Sequence, residues 1–136
     1  KNIKIKNSTI DLLFRVGLSS FFIINSLAAW FSPGEFLDLL GANKLASAIA
    51  VPQFWVYIIG VNDATLAVLI LMGRWRKEIS IWASAWIIAV MYVTASEGLN
   101  GFVEHIGVLS FIAVYYFSSC NNILKNNSSI NSVDEN

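Results

Sequence analysis

Four long stretches of this chain are apolar with only isolated polar interruptions: residues 11–31, 54–72, 78–96 and 102–119. None alternates polar and apolar positions with a period of two, which argues against the strands of a membrane barrel. None contains proline. A helix needs about 20 mostly apolar residues to cross a ~30 Å hydrocarbon layer, and each stretch is close to that length. Lipid offers the backbone no hydrogen-bond partners, so each stretch is predicted to be a transmembrane helix. The punctuation agrees. Pro52 precedes the second stretch, Gly73 follows it as a helix stop, and Asn100 and Gly101 open the fourth.

The connection over residues 32–53 has its own pattern. "SPGE" has the form of a helix start, with Ser32 as cap, Pro33 at the first helical position and Glu35 at the third. "EFLDLLG" then predicts a short amphipathic helix on the outer membrane surface, and "LASAIAV", 45–51, a second short piece. This loop either covers the bundle or gates a site beneath it. "NNILKNNSSINSVDEN", 121–136, is polar and predicted to be a disordered tail. The expected architecture is all-α: a transmembrane four-helix bundle within residues 1–120, with a short amphipathic helix in the outer loop between the first and second helices.

Composition strengthens the membrane assignment. Of 136 residues, 56% are hydrophobic and 13% charged, against about 25% charged in soluble domains. Mean hydropathy is +0.61. Net charge is zero, so no electrostatic footprint for nucleic acid is present. The single Cys120 permits no intrachain disulfide or Cys-x-x-Cys pair. The basic and then apolar N-terminus has the outline of a signal peptide. Arg15 interrupts it, however, and three further apolar stretches follow, so a retained signal-anchor helix is expected.

Charge also sets an orientation. With the N-terminus inside, Lys1, Lys4, Lys6, Arg15, Arg74, Arg76, Lys77 and Lys125 fall inside and only Lys44 outside. Both termini are therefore expected in the cytoplasm, in a multi-pass protein of the plasma (inner) membrane. The "RWRK" turn, 74–77, is explained by this bias. Trp30, Trp55, Tyr57 and Trp75 lie near helix ends, at headgroup depth. Trp82 and Trp86, one turn apart in the third stretch, read as helix-packing or lipid-facing residues.

Against this background the polar residues inside the apolar stretches stand out. The second stretch centres on Asp63, the first near Phe21, the third near Ile87 and the fourth on Leu109 and Ser110. An unpaired polar group in hydrocarbon costs several kcal/mol. An internal polar layer is therefore expected, containing Asp63, Asn62, Asn25, Ser20, Ser84 and Ser110. Arg15 lies about 9 Å to the cytoplasmic side of centre at 1.5 Å rise per residue. It either snorkels to the inner headgroups or reaches Asp63, since a buried charge favours a partner. Asp63 itself is either a functional group or interhelical glue.

Glu97, Glu104 and His105 form a second polar group at the outer ends of the third and fourth helices. Glu104 and His105 point about 100° apart on a helix, a poor chelating geometry, so no metal site is expected. A single histidine excludes bis-His haem ligation within one chain. Neither a nucleophilic triad nor a phosphate-binding glycine loop is present.

"LLFRVGLSSFFIINS" at 12–26, "SPGEFLDLLG" in the outer loop, "IIGVNDATLAVLILMGRWRK" at 58–77 and "GFVEHIGVLSFIAVYYF" at 101–117 together resemble the DoxX-like family of small four-helix membrane proteins. The resemblance spans about residues 10–120. It rests on Arg15-Val16-Gly17 in the first helix, on Asp63 before a Leu-rich run and a basic turn, and on Glu104 before Ile106-Gly107-Val108-Leu109. Glu is the more usual acid where Asp63 stands. The resemblance implies an integral subunit or accessory protein of a redox system, of the thiosulfate- and quinone-linked kind, with a quinone as the implied ligand. Another oxidoreductase subunit or a second copy of the chain would be its partner, besides the lipid bilayer. The alternative is a non-catalytic membrane scaffold or assembly partner.

Overall fold

The computed structural model describes residues 7–95 and 103–118. Among the described residues there are six helices and no strand. They are α1 (Asn7–Phe31), α2 (Gly34–Ala42), α3 (Lys44–Ile49), α4 (Pro52–Met72), α5 (Arg76–Thr94) and α6 (Val103–Ser118). The four apolar stretches thus correspond to α1, α4, α5 and α6, and the outer connection holds α2 and α3. The expected opening of the fourth helix at Asn100 and Gly101, and the polar tail, lie outside the described residues.

By length and composition, α1 (over Ser8–Phe31) and α4 (over Pro52–Met72) can each cross a membrane. α5 carries Arg76, Lys77 and Glu78 at its start, and α6 is a shorter apolar helix.

Local chemistry explains most boundaries. Pro52 occupies the first turn of α4, where its missing N–H removes nothing. Gly73 ends α4 at φ 70°, and its N–H reaches the carbonyls of Leu69 and Ile70. Trp75 follows at φ 50°, a left-handed conformation that costs a side-chain-bearing residue about 1–2 kcal/mol. The Asn43 side chain accepts from the N–H groups of Leu45 and Ala46 and so caps α3.

The Ser32 cap does not form. The Ser32 N–H still bonds to Ala28 O at 2.8 Å, prolonging α1. Pro33 then takes a helical conformation with no side-chain cap bond, and α2 begins at Gly34.

α1 and α4 pack antiparallel at close range. Ser26 Oγ donates to Gly60 O at 2.8 Å, Ser19 Oγ to Ala67 O at 3.0 Å and Arg15 to Leu71 O at 2.6 Å. Moving down α1 through these donors, the acceptors advance in equal steps up α4. Ser19, Ser26, Ala29, Gly60 and Ala67 supply the small side chains that let two backbones approach. A methyl added at Gly60 would overlap the indole of Trp30.

The main core joins Leu18 and Phe22 of α1, Leu66 and Ile70 of α4, Ile79 and Ile87 of α5, and Ile112 and Tyr115 of α6. A second cluster of Ala29, Leu40, Ala46 and Val56 seats α2 and α3 on α1 and α4. Trp55 Nε1 fastens this cap by donating to Ala46 O at 2.9 Å.

Candidate functional site: a buried carboxyl in an apolar cavity

Asp63 sits midway along α4 and is 3% exposed. Gly60, Asp63 and Ala67 are spaced i, i+3, i+7 and share the buried face of α4, with the Asp63 carboxyl within reach of α5. There, Trp86 Nε1 donates to Asp63 Oδ1 at 2.7 Å. Asn62 Nδ2 lies 3.4 Å from the same oxygen, a weak bond at that length. Trp82 Nε1 donates to Asn62 Oδ1 at 3.1 Å, which turns the amide so that its NH₂ faces Asp63. Two indoles one turn apart on α5 thus hold two adjacent side chains of α4. Packing or lipid contact alone, as expected for Trp82 and Trp86, misses this role.

Both bonds to Asp63 use Oδ1. Oδ2 makes no hydrogen bond among the described residues. Every fully buried side-chain nitrogen or oxygen described has a partner, so Oδ2 retains an accessible face. Asp63 lines a cavity of about 520 Å³ bounded by all six helices. Asn25 also lines the cavity, and its amide makes no hydrogen bond among the described residues. Its neighbour Ser26 is bonded to Gly60, and Gly60 is about 4.5 Å along the helix axis from Asp63 at 1.5 Å per residue. His105, half-buried at the start of α6, lines the cavity too. The remaining walls are mostly aliphatic and aromatic.

The expected polar layer is therefore only partly present. Asp63, Asn62 and Asn25 lie towards the interior, and Ser84 is half-buried but does not line the cavity. Ser20 and Ser110 are exposed and do not belong to it. Each donates to the carbonyl four residues earlier, Val16 O at 2.7 Å and Ile106 O at 3.0 Å. A helical serine can satisfy itself in this way, so hydrocarbon does not force it inward. The buried serines are instead Ser19 and Ser26.

Arg15 does not reach Asp63. It turns towards the opposite end of α4, bonding Leu71 O and pairing with Asp11 at 3.1 Å. The carbonyls of a last helical turn lack partners, which makes that end attractive to a cation. Asp11 also receives both guanidinium nitrogens of Arg76, at 2.7 and 2.8 Å. Arg76 further contacts Gly73 O at 3.2 Å and Ser118 Oγ at 3.4 Å and lies 5.3 Å from the Tyr115 ring centre. Its pKa is raised above the ordinary arginine value, chiefly by the bond to Asp11. Asp11, which joins these two arginines, carries no mark in the residue pattern that would single it out.

Of the outer group, Glu104 is exposed and His105 faces the cavity, so the two diverge. Glu97 lies outside the described residues. Among those residues, no group of three or more His, Cys, Asp or Glu side chains converges to hold a metal ion. Comparison of the chain with protein-family models, with curated proteins and with solved structures finds no match.

Proposed function

We propose that this chain is an integral membrane protein that binds a quinone-class ring in the cavity beneath α2 and α3, as a subunit or accessory protein of a redox system. The observation that carries this reading is the pairing of unused polar groups with apolar walls: Asp63, with Oδ2 unbonded, and Asn25, with its amide unbonded, both line a mostly apolar cavity of about 520 Å³. Sites for small organic ligands have this form, with few polar groups fixing orientation inside a greasy shell.

The chemistry fits both redox forms of such a ring. The Asn25 NH₂ can donate to a quinone carbonyl. Asp63 Oδ2 can accept from a quinol hydroxyl or, when carrying a proton, donate to the second carbonyl. Trp86 and Asn62 leave that oxygen unoccupied by bonding the other one. The redox setting itself comes from the resemblance to DoxX-like proteins. The same resemblance drew attention to Arg15, whose bonds lie with Asp11 and Leu71.

The membrane setting is supported by outward apolar surface. Only 28% of the most apolar window of α1 and 33% of that of α4 is buried inside the molecule, so most of that surface needs another apolar environment. The test is thermal unfolding of detergent-purified protein with benzoquinone and naphthoquinone ligands. A ligand-dependent rise in Tm that vanishes in Asp63→Ala is expected. No rise with any quinone, in protein that unfolds cooperatively, would leave the chain as a scaffold or assembly partner.

A further inference from the structure

We propose that the ligand is a long-tailed, lipid-dissolved molecule that reaches Asp63 sideways, through an apolar mouth between α3 and α5, and rests with its tail in that mouth. This deepens the quinone reading and depends on it.

The roof of the cavity is fastened. Trp55 bonds α3 to α4, Asn43 caps α3, and Leu40 and Ala46 are buried in the second core cluster. A route down from the α2–α3 side would have to break these contacts. The side wall differs. Four large apolar residues that line the cavity are also more than half exposed: Leu45 at 54% and Ile49 at 65% on α3, Ile88 at 58% and Tyr92 at 60% on α5. Each pair is one turn apart on its helix and so presents one face. A residue that borders a cavity and is also open to the surroundings marks the rim.

The chemistry of the rim selects what crosses it. Three of the four residues are aliphatic, and the fourth offers a phenol ring. Besides Tyr92, the ionisable side chains lining the cavity are Asp63 on α4 and His105 on α6. A water-soluble ligand would cross an apolar threshold to reach a single buried carboxyl. A ligand already dissolved in lipid meets no such barrier, because rim and bilayer are equally apolar. Its polar head is the part that gains by moving inward, to Asp63 Oδ2 and Asn25. Its tail exchanges lipid contacts for contacts with Leu45, Ile49, Ile88 and Tyr92.

The experiment uses the full chain in lipid nanodiscs with two probes: a benzoquinone without a tail, and the same ring bearing a prenyl chain with a photoreactive diazirine at its end. Leu45→Trp and Ile88→Trp narrow the mouth at exposed positions, and their Tm values report whether the fold is kept. Ile88→Ala serves as a variant that widens it. Either tryptophan should weaken the tailed probe about tenfold, a loss of about 1.4 kcal/mol, and leave the tail-less ring nearly unchanged. Ile88→Ala should keep both, and photolabel should fall on α3 or α5 around the rim. Equal binding of the tailed probe in all mouth variants, or label confined to other helices, would overturn lateral access while leaving the ring site intact. Failure of both probes to bind the unaltered chain would overturn the site and this inference together.

Discussion

Trp86 is the side chain on which the orientation of Asp63 depends. Its indole supplies the short bond to Oδ1, whereas the Asn62 contact is long. Trp86→Phe keeps the ring and removes the N–H. A buried acceptor deprived of its donor costs about 1–3 kcal/mol, so this variant should lose stability in that range in detergent unfolding. It should also lose ligand-induced stabilisation, because a carboxyl freed at Oδ1 no longer presents Oδ2 to the cavity. Gly60 is constrained by a different neighbour. Ala there would meet the Trp30 indole, and such overpacking costs about 1–3 kcal/mol. Trp30 is 46% exposed and has room to move, so the low end is expected. In a double-mutant cycle, Trp30→Ala should remove most of the penalty.

At the scale of helices, α5 is attached differently from the α1–α4 pair. α1 and α4 meet through small residues and serine-to-carbonyl bonds. α5 adds side-chain bonds at two levels: Trp82 and Trp86 near its middle, and Arg76 at its start. The Arg76–Asp11 pair is partly buried, with side chains 15% and 31% exposed, and its two parallel bonds need the planar guanidinium fork. Arg76→Lys keeps the charge but cannot make both bonds. A loss of about 1–2 kcal/mol is expected, measured by unfolding. Arg74, exposed and stacked 5.4 Å from the Trp75 ring centre, is the control, since Arg74→Ala should change stability by less than about 0.5 kcal/mol. Equal losses from both changes would show that general positive charge, not the fork, holds this end together.

For the whole molecule, the decisive property is where its apolar surface goes. Large apolar side chains are exposed along α1, α4, α5 and α6, among them Leu13, Ile24, Val68, Ile81, Phe111 and Phe117. Contiguous exposed apolar surface marks contact with membrane or partner. The chain should therefore stay in the membrane pellet after alkaline carbonate washing and leave it only with detergent. Recovery from the aqueous fraction as a monodisperse species would contradict the membrane reading at every level. Native mass spectrometry after gentle extraction would show which lipophile leaves with it.

Residue order alone determined much of the helical architecture. Apolar length set the long helices, and Pro52 and Gly73 marked the ends of α4 because their backbone restrictions act locally. Asp63 was legible for the same reason: a carboxyl inside an apolar run is conspicuous whatever the fold around it. Its neighbours were not. Ser19 and Ser20 are adjacent, yet one is buried against Ala67 and the other exposed. About 100° of helix rotation separates them, and only the close packing of α1 on α4 decides which faces in. Depth along the membrane normal, all that the sequence offered, carries no information about rotation. Asp11, Trp82 and Trp86 became significant through the same step, since each bonds a residue distant in sequence. The fate of Arg15 was likewise a tertiary decision: the unsatisfied carbonyl at the end of α4 and the nearby Asp11 lie within its reach, and Asp63 is held by the Trp86 indole instead.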